Sequence, residues 1–121
     1  MQTLLAHTQP CRLLALRNAV EFSTVMRARC RVSGRFFEVY AYPNHKDRVR
    51  LGLIIAKKIE RTAVARNLIK RRLREFFRLR HEALAGLDFV VRLRRGSAGD
   101  NASQTNAEME THIIELQKCR Q

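Results

Sequence analysis

Tryptophan is absent from the 121 residues, proline occurs twice and glycine five times, so little in the chain punctuates its helices and strands. Acid is also scarce, with 11 Asp and Glu against 24 Lys and Arg. The acids, among them Glu21, Glu38, Glu60, Glu75 and Asp88, have no motif spacing that would converge carboxylates on a divalent ion, which argues against an autonomous metal nuclease. His7, His45, His81 and His112 are scattered and read as surface or helix-flank residues. Cys11, Cys30 and Cys119 are odd in number, widely spaced and free of any CxxC pair. That pattern argues against a disulfide framework or zinc site and predicts a reducing, cytoplasmic compartment. No apolar run approaches the roughly 18 residues of a membrane span, and the N-terminus lacks the continuous apolar core of a secretory signal.

What the chain has in excess is positive charge. The formal net charge is +13 and the pI is near 11.2. Such a surplus repels itself within a compact fold and concentrates polyanions around it. Nucleic acid is therefore the leading partner and an anionic membrane surface the runner-up. With 45% hydrophobic residues in one domain's length, the chain is expected to fold as a single domain over 1–121.

Residues 1–11 read as a loose leader. Asn18 with Glu21 three positions on resembles a capping box and opens a short helix, 18–28, with Val20, Phe22, Val25 and Met26 on its apolar surface. "FFEVYAY", 36–42, alternates as a strand. Phe37, Val39 and Ala41 point one way; Phe36, Glu38, Tyr40 and Tyr42 point the other. "RVRLGLIIA", 48–56, reads as a strand antiparallel to it, joined through the 43–47 loop. Thr62 caps a long helix, 62–84. "LDFVVRLR", 87–94, is a further strand, and "RGSAGDNASQ", 95–104, an exposed loop. Thr105 with Glu108 forms a second capping-box pattern, opening a final helix with Met109, His112, Ile113 and Leu116 at helical spacing. The order of helices and strands predicts a two-layer α/β domain.

The long helix carries the sharpest signal. On a helical wheel, Ala65, Ile69, Leu73, Phe76 and Phe77 fall within about 120°, while Asn67, Lys70, Arg71, Arg74 and Arg78 share another arc of about 100°, with Arg66 on the border. From Lys57 to Arg80 there are ten Lys or Arg and two Glu, a net +8. A merely solvated charged face is normally laced with Glu at i, i+4. Here Glu75 and Glu82 are the acids at hand, and both fall outside the basic arc. Because the dry face must cover a sheet, the basic face suits the irregular backbone of a folded RNA better than a duplex groove. Arginine adds bidentate donors for phosphate, and Tyr40 or Phe22 could stack on unpaired bases.

The segment "AKKIERTAVARNLIKRRLREFFR" resembles the signature of the bacterial ribonuclease P protein subunit. The resemblance is carried by Lys57, Lys58, Ala63, Arg66, Asn67, Ile69, Lys70, Arg71 and Arg74 and extends over about 12–118. Glu60 stands where many members have Gly, and Met26 where an aromatic is frequent. The resemblance implies an α+β fold of order αβββαβα, with a four-stranded sheet and a left-handed β-α-β crossover. It implies a subunit that binds the catalytic RNA and the 5′ leader of precursor tRNA, assisting RNA-catalysed removal of that leader. In this chain Arg66, Asn67, Lys70, Arg71 and Arg74, with Lys57 and Lys58, would contact the catalytic RNA, and Phe22, Met26 and Tyr40 would line the leader cleft. No catalytic residue, tightly bound cofactor or metal is expected in the chain, Mg²⁺ being held mainly by RNA, and no protein oligomer is required. A ribosome- or mRNA-associated RNA-binding protein without a processing role is the alternative on charge and fold class alone.

Overall fold

A computed structural model describes residues 13–96 and 102–120. The expected leader at 1–11, with His7 and Cys11, and residues 97–101 of the expected loop lie outside them. The elements are β1 (Leu14–Ala15), α1 (Ala19–Met26), β2 (Arg31–Ser33), β3 (Phe37–Pro43), β4 (Arg50–Ile54), α2 (Ala63–Leu79), α3 (His81–Leu84), β5 (Leu87–Leu93), α4 (Ala102–Leu116) and a closing 3₁₀ turn (Gln117–Arg120). The sheet has five strands rather than four, the extra one being the short β1.

Strand order is β1-β4-β5-β3-β2. β5 runs antiparallel to β3, with Tyr40 opposite Val90, and parallel to β4, with Gly52 opposite Val90. The expected β3–β4 hairpin is therefore not formed, because β5 lies between them. The physical reason is burial. Leu87 to Val91 are five consecutive buried residues, and such a run needs neighbours and cover on both sides, which the sheet centre provides. β4 reaches β5 through α2 and α3, the β-α-β crossover of the fold.

The two sheet faces are covered unequally. Phe37, Val39, Ala41, Leu51, Phe89, Val91 and Leu93 pack against Ile69, Leu73, Phe76 and Phe77 of α2 and Met109, Ile113 and Leu116 of α4. The opposite face carries a small cluster in which Val25 of α1, flanked by Phe22 and Met26, meets Leu16, Tyr40 and Val90.

The helix termini follow the cap chemistry in two cases out of three. Asn18 Oδ1 accepts from the Glu21 N–H at 2.9 Å, and the Glu21 carboxylate accepts from the Arg17 N–H. Thr62 Oγ1 accepts from the Ala65 N–H at 3.1 Å. α2 stops at Leu79 instead of reaching 84, since Arg80 leaves helical geometry and a separate turn, α3, follows. At α4 the expected Thr105–Glu108 box does not form. The helix begins at Ala102, and Thr105 is buried and donates to the Ala102 carbonyl at 3.0 Å. Glu108 instead reaches the sheet, accepting the Phe36 and Phe37 N–H groups at 3.0 and 2.9 Å. It also pairs with His112 Nε2 at 3.0 Å. His112 is thus a buried docking residue, not a surface one. Gly34 makes the approach possible, since a Cβ there would lie 2.5 Å from Glu108 Oε2.

The cysteine expectation is also overturned. Cys30, just before β2, and Cys119, in the closing turn, form a disulfide with a Cα–Cα distance of 6.0 Å. Their 89-residue separation hides a contact that only the sheet order creates. Closing so long a loop restricts the unfolded chain by roughly 4 kcal/mol in the chain-entropy view. Cys119→Ser should therefore lower unfolding stability by about that amount. Urea unfolding should give the wild type in excess reductant the same midpoint as the variant, and a midpoint unmoved by reductant would refute the assignment.

Candidate nucleic-acid interface

The basic surface is built by the way α2 is seated. With Ile69, Leu73, Phe76 and Phe77 pressed on the sheet, helical geometry turns Asn67, Arg71 and Arg74 outward, where all three are exposed, and leaves Lys70 half-buried at the border. Among the described residues, no carboxylate pairs with Lys70, Arg71 or Arg74. Lys57 and Lys58 are exposed in the connection between β4 and α2. Arg78 of the arc and Arg66 at its border behave otherwise. Arg78 is held by Glu75, with Nε donating at 3.0 Å, so the arc is neutralised at its C-terminal end despite the wheel's separation of the two. Arg66 is half-buried, and its Nη1 donates to the Glu60 and Arg61 carbonyls at 3.0 and 2.9 Å. Its guanidinium fastens the start of α2 to the preceding connection.

Phe22, Met26 and Tyr40 do come together on the α1 face of the sheet. Tyr40 is not the exposed stacking ring expected of it, being only 5% exposed beneath α1. Phe22 and Met26 are half-buried. Phe22 approaches the sheet closely because Gly52 has no side chain; a Cβ at Gly52 would come within 2.6 Å of the ring. Beside it, at the β1–β4 edge, is a hollow of about 220 Å³ lined by Leu13, Leu16, Phe22, Leu53, Lys70 and Arg74, with the intervening β1 and β4 residues. The structure thus brings the aromatic from one predicted site and two cations from the other to a single cavity.

Polar clusters that the sequence reading did not assign as site residues flank Tyr40 on the same face. Asp88, 3% exposed, takes two bonds from Arg50, Nε at 2.9 Å and Nη2 at 2.6 Å, and one from Asn44 at 2.8 Å. Arg50 continues to Glu21 of α1 at 3.2 Å, tying the helix to the sheet. At the other end Glu38 accepts from the Tyr40 hydroxyl at 2.8 Å, Ser33 Oγ at 3.1 Å and Arg92 Nη2 at 2.7 Å, with Arg31 Nη1 at 3.7 Å. Burial alone would raise the Glu38 carboxyl; the Tyr40 and Ser33 hydroxyls and the two guanidiniums outweigh it and hold it below the usual range. Burial, then the Glu38 bond and charge, pushes the Tyr40 hydroxyl up. The available signal was an acid sharing a strand face with aromatic rings in a chain poor in acid.

The ribonuclease P family model matches residues 12–117 of the chain. The chain belongs to the ribonuclease P protein family. It is 39% identical over 100 residues to the ribonuclease P protein component of Chromobacterium violaceum, covering 83% of both chains. It is 46% identical over 83 residues to that of Nitrosomonas europaea, covering 69% of this chain and 70% of the relative. Among solved structures, the Staphylococcus aureus RNase P protein superposes with a TM-score of 0.66 at 26% identity, over 88% of this chain and 94% of that one. The ribonuclease P relationship carries a role in tRNA processing, and no helix among the described residues is long and apolar enough to cross a membrane.

Because the Glu38 carboxyl is depressed in the folded state, its contribution to stability is present in full above the ordinary carboxylate range. It is lost as the pH falls through that range and below it. Thermal unfolding of this ribonuclease P protein from pH 7 down to about pH 3 should show an acid limb that Glu38→Gln makes shallower. An unaltered limb would show that Glu38 is not held as described.

Proposed function

We propose that the chain is the RNA-docking subunit of ribonuclease P, with the exposed face of α2 set against phosphates of the catalytic RNA and the α1 side of the sheet holding the 5′ leader of precursor tRNA. One observation carries this reading: Arg71 and Arg74 project without carboxylate partners from a helix whose opposite face is sealed in the core. Lys70, Asn67, Lys57 and Lys58 extend the same surface. Arg66 contributes chiefly by holding the start of the helix in place.

Cations on α2 offset ribozyme phosphate repulsion that Mg²⁺ would otherwise have to screen. Binding then releases condensed counterions and weakens steeply with salt. The leader enters at the hollow beside Phe22, where a base can rest on the half-exposed ring while Lys70 and Arg74 meet its phosphate. Met26 and Tyr40 support that ring from within. Hydrolysis itself belongs to the RNA. Among the described residues no group of three or more His, Cys, Asp or Glu could hold a metal ion, and Glu38 and Asp88 are engaged by arginines. Divalent ions would be held mainly by the RNA, and no protein oligomer is required.

Reconstitution with a ribonuclease P RNA tests the reading. At low Mg²⁺ the chain should restore cleavage of precursor tRNA at the mature 5′ end. Binding without cleavage would instead favour a structural RNA-binding role. Arg71→Ala with Arg74→Ala should flatten the slope of log affinity against log salt by about 1.5 to 2, and an unchanged slope would remove α2 from the footprint. Phe22→Ala should cost about 1–3 kcal/mol of precursor affinity and leave mature tRNA affinity alone. Equal losses on both would dissolve the separate leader site.

A further inference from the structure

The Glu38 cluster is more elaborate than the burial of one carboxylate requires. Two hydroxyls, from Tyr40 and Ser33, and the Arg92 guanidinium already satisfy it. Arg31 adds a second cation at 3.7 Å. The two arginine side chains stay 60% and 47% exposed, while that of Glu38 is 10% exposed. Two guanidiniums over one carboxylate leave the cluster at a net +1 (two positive charges less one), directed to solvent.

Its location follows from strand register. Arg31 lies opposite Tyr40, Glu38 opposite Arg92, and Tyr40 opposite Val90. Directly opposed residues share a sheet face, so both arginines stand on the α1 face beside the Tyr40–Val90 pair. Residues two apart on a strand are about 7 Å apart, so Arg92 begins one such step beyond Val90. A guanidinium held by one edge keeps other donors in a fixed plane, which suits the oxygens of a phosphodiester.

We propose that Arg31 and Arg92 form a preset phosphate clamp for the single-stranded leader, next to the Phe22–Met26–Tyr40 cluster, with Glu38 as its positioning residue. The proposal rests on the reading that the α1 face takes the leader. Glu38 acts through the arginines. It holds Arg92 by a hydrogen bond and Arg31 by charge at 3.7 Å before RNA arrives, and it cancels one of their two charges, so that an RNA strand gains from placement as well as from unspecific attraction. Without it the site would be more positive and less ordered, a combination that trades discrimination for general stickiness.

The experiment uses the reconstituted holoenzyme and precursor tRNAs whose leaders are shortened one nucleotide at a time, with mature tRNA as reference. Arg31→Ala combined with Arg92→Ala should weaken precursor binding about tenfold for long leaders. The effect should vanish once the leader is too short to reach the clamp, and the loss should fall on KM rather than kcat. Glu38→Gln should reduce the ratio of precursor to mature affinity while raising unspecific RNA binding, and Glu38→Asp should restore part of that ratio. If wild type discriminates precursor from mature tRNA while the double arginine variant, folded by its melting curve, matches it at every leader length, the clamp is refuted and the leader site stands. If wild type itself shows no such discrimination, the leader reading fails first and the clamp with it. A loss in the double variant that is equal for mature tRNA also overturns the clamp, since it would make Arg31 and Arg92 a general electrostatic surface.

Discussion

Four side chains, Ile69, Leu73, Phe76 and Phe77, hold the most repulsive segment of this protein against its sheet. Burying residues of this size contributes roughly 1.5–3 kcal/mol each, an upper range because the unfolded chain already hides some of that surface. Like charges one helical turn apart each cost a few tenths of a kcal/mol. The apolar side therefore prevails by a wide margin, and α2 can stay folded with Arg71 and Arg74 uncompensated. Phe77 reaches Phe89 of the central strand edge-on, with ring centroids 5.1 Å apart, so the basic face is fixed in orientation by the most buried part of the sheet. If that anchoring loosened, the charges would relax away from one another and the surface would lose its shape before RNA met it.

The same logic places the acids. Glu38, Asp88 and Glu108 are each committed to a joint: two bind arginines on the α1 face, and one caps the N–H groups where β3 begins. Glu75 quiets the far end of α2. Acid is spent where buried polar groups need a partner, which leaves the middle of α2 free of it. The net charge of +13 thus becomes a directed field rather than a uniform coat.

How much of this the sequence disclosed depended on the range of the interaction. α2 was legible because its two faces are written within seventeen consecutive residues, and its Thr62 cap is a bond across three. Asn18 was legible for the same reason. Sheet order was not, since nothing local states that Leu87–Leu93 inserts between two strands that precede it. The same blindness hid the Cys30–Cys119 bond, the seating of Glu108 on Phe36 and Phe37, and the burial of His112. Tyr40 was misjudged because alternation gives the face of a side chain and not whether a helix will cover it. Arg66 looked like a contact residue by spacing, yet two carbonyls five and six residues upstream hold its guanidinium.

One consequence joins the two faces. Gly52 lets Phe22 lie on the sheet, and Lys70 and Arg74 border the same hollow from α2. In the proposed reading, a strand entering beside α1 would therefore meet cations belonging to the helix assigned to the catalytic RNA. The two surfaces are neighbours at the β1–β4 edge rather than independent patches on opposite sides of a sheet. On that reading a precursor held there would add its own phosphates beside the cations proposed to meet the ribozyme, so the two RNAs would be coupled through Lys70 and Arg74 even where they do not touch. Coupling of this kind is reciprocal. Whatever precursor gains from the presence of catalytic RNA on α2, the catalytic RNA must gain from precursor in the hollow, and the sign is set by whether the shared cations can serve both backbones or must choose between them.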